Sequence, residues 1–397
     1  MREQNRALTL ASIVLFFSVL VWFNYSAVLP SIVEEWNLSG VQAGVIFGAF
    51  QAGYLLSIIP AGRLADRYSP RWIIAIGAVG TGVPSLGFAM LADGFVVGTV
   101  LRFLSGMFVA GVYVPGMRFI SDWFSEAARG RALGIYIGTF ELGSGFSFVF
   151  ATIAANLLQW RFAVGLTSVG AIVVAPLLLY LTCDNPDRRT STDGFDFSIL
   201  RNREYLSAVS IYSWHNWELF GVRNWLLAFF VAAPAFVATD STVLPGIVVG
   251  AMIIMSGVGN ALGGWVSDRV GRSQTIAIGL GASSVLSAVF GLLGGLPLVI
   301  LVSLTLGYGV VLALDSAPTS TLITEVVDDE YVGTALSIQS LAGFSTTVIS
   351  PIVFGIALDR GGYAAAFPTL AAGSVLGLIS VAVLVRSRRK QKHGEPF

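Results

Sequence analysis

Gly62-Arg63-Leu64-Ala65-Asp66-Arg67-Tyr68-Ser69-Pro70-Arg71 lies between two apolar runs, near residues 40–61 and 71–91, and it returns later as Gly264-Trp265-Val266-Ser267-Asp268-Arg269. The offset from Gly62 to Gly264 is 202 residues. A second pair, Gly130-Arg131-Ala132-Leu133 and Gly333-Thr334-Ala335-Leu336, repeats at nearly the same spacing. One pair follows an apolar run and the other opens a later run, at matching places in each copy. Two matches at one offset indicate an internal duplication. The chain is therefore read as a half spanning 1–183, a linker 184–203, and a second half 204–397 that ends in a basic tail.

The apolar runs set the fold class. A helix needs about 20 mostly apolar residues to cross the hydrocarbon core of a bilayer. Twelve runs qualify, near 8–30, 40–61, 71–91, 95–119, 130–156, 161–183, 204–232, 243–266, 274–294, 297–321, 333–358 and 364–385. Only 12% of the 397 residues are charged and 55% are hydrophobic, with a mean hydropathy of +0.78. A soluble chain carries about 25% charged residues, so this surface could not be solvated in water. Strands of a membrane barrel are shorter and alternate in polarity, which these runs do not. The expectation is an all-α integral membrane protein with 12 transmembrane helices in two pseudo-symmetric six-helix bundles. The first run, Leu8 to Pro30, is too long for a cleavable signal and is read as a spanning helix.

Charge narrows the partners and sets the orientation. The 23 basic and 23 acidic residues cancel, which argues against a nucleic-acid partner. One cysteine, Cys183, and two histidines, His215 and His393, exclude a disulfide framework and leave no Cys/His metal cluster. With both termini in the cytoplasm, 19 of the 23 basic residues fall on that side, as the positive-inside rule requires. They include Arg2, Arg6, Arg129, Arg188, Arg189 and the run Arg386 to Lys392. Arg161 and Arg360 fall outside, and Arg102 and Arg223 lie within spans. In the linker, Phe197 to Tyr205 is expected to form a short amphipathic helix on the membrane surface.

The repeated loop resembles the signature of the major facilitator superfamily, Gly-x-Leu-Ala-Asp-Arg-x-Gly-Arg-Arg/Lys. The first copy carries Gly62, Asp66, Arg67 and Arg71, but has Ser69-Pro70 where the family has Gly-Arg. The second carries Gly264, Asp268, Arg269, Gly271 and Arg272. Leu101-Arg102-Phe103-Leu104-Ser105-Gly106 is similar to the family's arginine motif in helix four, and Trp160-Arg161-Phe162 to its start of helix six. The resemblance covers the whole chain. It implies a secondary carrier working by alternating access in the plasma or inner membrane, with a small-molecule substrate at the interface of the halves. The implied partners are that substrate, protons and the lipid bilayer, with no cofactor and with the chain acting as a monomer. The motif's glycine would let helix ends approach closely, and its Asp would cap a helix and pair with an Arg as a cytoplasmic latch. The alternative is that these are topology-setting charges only. The wording of helix seven is also faintly similar to cyanate- and nitrate-type permeases.

Charges at membrane depth are costly and usually functional. Six ionisable residues lie there: Arg102, Glu141, His215, Glu218, Arg223 and Asp315. Arg102 and Glu141 differ in depth by roughly 10 Å, and the expectation is that they interact and that Glu141 exchanges a proton during transport. A static ion pair is the alternative. In helix seven, His215 and Glu218 share a face and are expected in a cavity. Glu218 and Arg223 point about 140° apart. Trp214 and Trp217 either stack on a substrate or pack. Asn24 and Tyr25 are further cavity candidates. Asp315 precedes Pro318 in helix ten, marking either a gate or a kink with the carboxylate on freed backbone groups.

Other classes are weaker fits. The antiporter signature of drug exporters would fall on Gly134 to Gly143, where Thr139 replaces the Pro and Leu142 a Gly, which disfavours drug or metabolite efflux by proton exchange. No phosphate loop for ATP is present. A membrane-embedded transferase would want clustered acids for a divalent metal, and Asp328-Asp329-Glu330 stands alone in a loop. A non-transporting sensor would have the same helices but no added signalling domain.

Overall fold

The computed structural model describes residues 2–186, 197–327 and 332–393. Arg188, Arg189, the Asp328-Asp329-Glu330 cluster and half of the linker lie outside the described residues. Within them every regular element is helical. The helices are α1 (Arg2–Trp36), α2 (Gly40–Arg67), α3 (Pro70–Leu91), α4 (Phe95–Trp123), α5 (Glu126–Leu157), α6 (Trp160–Leu181) and α7 (Arg203–Ala232). They continue with the short α8 (Pro234–Val237), α9 (Leu244–Val270), α10 (Arg272–Phe290), α11 (Leu298–Leu312), α12 (Ser316–Glu325) and α13 (Val332–His393).

Ten helical stretches are long and apolar enough to cross a membrane. One of them, Ala335–Arg388, holds two spans. It breaks at Gly361 and Gly362, where Gly362 has φ +63°, a left-handed conformation that glycine adopts without steric cost. α7 is long enough but carries buried Asn, His, Glu and Arg side chains that lower its hydropathy. It supplies the remaining span, so the fold is all-α with twelve membrane-spanning helices.

Two spans end as their residues dictate. Helix ten of the sequence reading is two helices, α11 and α12, parted by Ala313 to Asp315. Pro318 has no N–H and its ring crowds the carbonyl four residues back, which is that of Leu314. That carbonyl faces Gly263, where a Cβ would lie 1.9 Å from it. The expected amphipathic helix at Phe197–Tyr205 is instead a 3-10 turn over Phe197–Arg201, followed by α7. Its Ile199 is 7% exposed and joins a core with Tyr205, Ile276, Leu280 and Leu384. Asn202 then caps α7, accepting from the backbone N–H of Glu204 at 2.9 Å and Tyr205 at 3.1 Å.

The chain forms two compact units, Met1–Asp193 with Ser241–Ile253, and Gly194–Asp240 with Ile254–Phe397. In the first, α4 packs on α2 and α3, and α1 on α5 and α6. Its centre is aromatic, with Trp22 against Tyr54 at 4.9 Å and Phe140 at 5.3 Å between ring centroids. In the second, α7 packs most extensively on α13. Phe229, Phe290, Phe354 and Phe367 form its aromatic layer.

Candidate functional site

In the first unit a network of buried polar groups is centred on Arg102 of α4. Its Nη1 donates to the Val21 carbonyl at 2.9 Å and to Asn24 Oδ1 at 3.2 Å, and its Nη2 to the Trp22 carbonyl at 3.0 Å. The guanidinium also lies 4.3 Å from the Phe50 ring centroid and 5.5 Å from that of Tyr25. Asn24 extends the network, donating to Thr167 Oγ1 at 2.9 Å and Ser85 Oγ at 3.4 Å. Tyr25 donates to the Ala43 carbonyl at 3.0 Å. Arg102 therefore ties α4 to the middle of α1, and Asn24 carries the tie on to α3 and α6. The expected Arg102–Glu141 pair is not made: the guanidinium is committed to α1, and Glu141 is half-buried on α5. A Lys at 102 keeps the charge but loses the planar fork that meets three acceptors. Arg102→Lys is expected to lower stability by about 1–3 kcal/mol, read as a drop in melting temperature of the purified protein.

In the second unit His215 and Glu218 sit one turn apart on α7, as expected, but serve different partners. His215 Nδ1 lies 2.9 Å from Asp315 Oδ1, and its Nε2 lies 3.1 Å from Ser316 Oγ. Asp315 stands at the N-cap position of α12 yet makes no side-chain cap. The third residue of that helix is Pro318, which has no N–H to offer, so the carboxylate turns to His215. Its Oδ2 is buried with no hydrogen-bond partner among the described residues. Of the two sequence readings of Asp315, a bond to freed backbone groups is thus replaced by a side-chain pair.

Glu218 is 1% exposed. Its Oε1 accepts from Ser287, and its Oε2 accepts from Ser283 at 2.8 Å and from Ser374. Ser287 also meets the Tyr308 hydroxyl. Arg223 is buried on the same helix, and its charge and that of Glu218 both act on His215. Trp214 and Trp217 contact each other edge-on at 6.0 Å, and Trp217 Nε1 donates to the Thr369 carbonyl at 2.9 Å, so the tryptophans pack against α13. Ser283, Ser287, Ser374 and Tyr308 went unseen in the sequence, because a serine on an apolar helix face carries no signal until its neighbour is known.

The two copies of the loop motif use different chemistry. In the second, Arg272 bonds Asp268, Ser267 Oγ at 2.7 Å and Glu325 Oε1 at 3.3 Å. Gly271 before it has φ +104°, which explains the glycine there. In the first copy Ser69 and Pro70 occupy the places of Gly271 and Arg272, and Pro70 opens α3. Asp66 instead approaches Arg118 of α4 at 3.9 Å, a residue the sequence reading passed over. Arg71 turns away to the Leu179 carbonyl at 3.1 Å and to Asp184 at 3.5 Å. Arg67 is exposed, whereas Arg269 stacks 3.6 Å from its own Trp265 ring centroid. Gly62 and Gly264 are not points of backbone contact: a Cβ would meet Val114 at 3.8 Å and Ala317 at 3.7 Å, both ordinary distances. Among the described residues no group of His, Cys, Asp and Glu could hold a metal ion.

Comparison with known proteins places this architecture. The family model described as Major Facilitator Superfamily matches residues 11–245 and 231–397. The chain is similar to the "Probable sulfoacetate transporter SauU" of Cupriavidus necator, with 25% identity over 96% of this chain and 94% of that protein. It is 24% identical to the hexuronate transporter of Bacillus subtilis, over 94% and 93% of the two chains. A nitrate/nitrite transporter of Picosynechococcus is 28% identical, over 49% of this chain and 42% of its own length. Among solved structures, a bacterial homologue of the human lysosomal transporter Spinster superposes with a TM-score of 0.83 at 16% identity, covering 98% of this chain and 97% of that one.

Proposed function

The chain belongs to the major facilitator superfamily, a family of multi-pass membrane transporters rather than enzymes, and on that premise we propose that it carries a small organic or inorganic anion by proton-coupled alternating access. The observation that carries the anion reading is Arg102. It is 1% exposed and, among the described residues, bonds only carbonyl and amide oxygens, with no carboxylate among its partners. An uncompensated positive charge inside a bundle favours anions nearby. The relatives support the same class, since sulfoacetate, hexuronate and nitrate are all anions. Proton coupling draws on the buried titratable residues of α7 and the α11–α12 break. The reading includes both termini in the cytoplasm, residence in the plasma membrane, and a monomeric carrier with the Asp66 and Asp268 loops as gating elements.

A thermal-shift screen of the purified protein tests the cargo class. The probes are sulfoacetate, glucuronate, nitrate and glycerol 3-phosphate, set beside neutral sugars, zwitterionic amino acids and organic cations. At least one anion is expected to raise the melting temperature, and its uptake into proteoliposomes is expected to accelerate under an inward proton gradient. Hits confined to neutral or cationic compounds would end the anion reading. Uptake indifferent to the gradient would end the coupling.

A further inference from the structure

Glu218 has an unusual surrounding for a buried carboxylate. Helices α7, α10, α11 and α13 close on it, and among the described residues the hydrogen bonds it accepts from α10 and α13 come from neutral hydroxyls, Ser283, Ser287 and Ser374, with Tyr308 of α11 bonded to Ser287. The charged neighbours lie elsewhere. His215 and Arg223 are on the carboxylate's own helix, and Asp315 at the α11–α12 junction is held by His215. A lone carboxylate away from water is costly unless it is hydrogen-bonded or neutralised. Three hydroxyl donors serve the ionised form.

The acid form is served too. Ser283 Oγ has a second acceptor, the Leu280 carbonyl, at 3.2 Å. A hydroxyl has one proton to donate and two lone pairs to accept with. When Glu218 is ionised, Ser283 donates to it. When Glu218 is protonated on Oε2, the new O–H donates to Ser283 Oγ, and the serine hydrogen turns to Leu280. Ser287 and Ser374 keep donating throughout. The oxygens are already in direct hydrogen-bond contact, which suits a proton and leaves no gap for a metal ion.

We propose that Glu218, within its cage of Ser283, Ser287 and Ser374, is the site where this carrier binds its coupling proton. The proposal rests on the proton-coupled reading above and moves that role from Glu141 to α7. One proton passes from hydronium to the carboxylate, so one O–H bond breaks in the hydronium, one forms on Glu218, and one serine hydroxyl turns; nothing is oxidised. Uptake replaces charge-assisted bonds between α7 and its neighbours α10 and α13 by neutral ones, which are weaker, and so couples the proton to how firmly these helices hold together.

Infrared difference spectra of the reconstituted full-length protein, taken between acidic and alkaline buffer without any cargo, test this. The wild type is expected to show the carbonyl stretch of a buried carboxylic acid at acidic pH. Glu218→Gln is expected to lose that band and Glu141→Gln to retain it. Ser283→Ala keeps the carboxyl group but removes the partner of both forms, so both the band position and its pH midpoint should shift. A band that survives Glu218→Gln, or no titrating band in the wild type, overturns the proposal. Should Glu218→Gln fail to fold, Ser283→Ala decides, and an unmoved band overturns it. A band that answers to sodium instead of pH does the same. The spectra report proton binding alone, whereas gradient-driven uptake by the wild type reports coupling, so each reading fails separately.

Discussion

Gly106→Ala is expected to leave little folded protein. A Cβ at Gly106 would lie 1.9 Å from the Phe50 carbonyl oxygen and 2.7 Å from its carbon. The contact is reciprocal: a Cβ at Gly53 would lie 2.1 Å from the Phe103 oxygen and 2.7 Å from the Met107 nitrogen. The atoms in the way are all backbone, so no rotamer change relieves them, and α2 and α4 must move apart. Association of helices in a bilayer depends on close packing of this kind, because lipid offers no hydrophobic drive to replace it. The movement would also draw Arg102, one turn before Gly106 on α4, off its acceptors on α1. Overpacking of this sort costs about 3 kcal/mol or more. The measurement is the yield and melting temperature of monodisperse protein after purification. Gly134→Ala is the control, since its Cβ would meet nothing within 4 Å, and it should change stability by less than about 0.5 kcal/mol. A Gly106→Ala protein that purifies and melts like the control would show that the crossing gives way. The second unit has the same device, with Gly259 facing the Val310 oxygen at 2.0 Å and Gly263 that of Leu314 at 1.9 Å.

The glycine contacts show where reading the sequence stops. Run lengths and the repeated loop were enough to count the spans, because the bilayer sets helix length and each half repeats the other. The chain has 45 glycines, and nothing in the sequence ranks them by what lies opposite. The motif glycines Gly62 and Gly264 drew the expectation of close approach, and the approach occurs instead at Gly53 and Gly106, and at Gly259 and Gly263. The ionisable residues of α7 were legible for a similar reason to the spans: a charge in an apolar run stands out by its cost. Their partners were not. Arg102 bonds backbone carbonyls, which every residue has. Glu218 bonds serines from α10 and α13, which lie 65 or more positions away. Pairing Arg102 with Glu141 followed from opposite charge and rough depth, and it failed because α1 lies nearer to α4 and offers three acceptors.

The His215–Asp315 pair should reveal itself as a strong coupling with unequal halves. Both residues are buried, at 4% and 1% exposure. Among the described residues, His215→Ala removes the one hydrogen-bond partner of the Asp315 side chain, whose Oδ2 already has none. The carboxylate is then left buried with both oxygens unmet, a loss of about 3–5 kcal/mol when one member of a buried pair is removed. Asp315→Ala leaves the imidazole free to take the neutral tautomer with its one N–H on Nε2, which keeps Ser316 as partner. That loss should be nearer 1–3 kcal/mol, the cost of an unmet polar group. The double variant removes both problems, so it should be no worse than His215→Ala, with a coupling of about 2 kcal/mol. Asp315→Asn separates shape from charge. Its amide oxygen still accepts from Nδ1, and a melting temperature close to that of the wild type would mean the pair acts by hydrogen bonding alone. Melting curves of the wild type and the four variants decide the matter. If the single losses simply add to within about 0.5 kcal/mol, the two side chains do not depend on each other, and the break in helix ten owes its shape to Pro318 without help from α7.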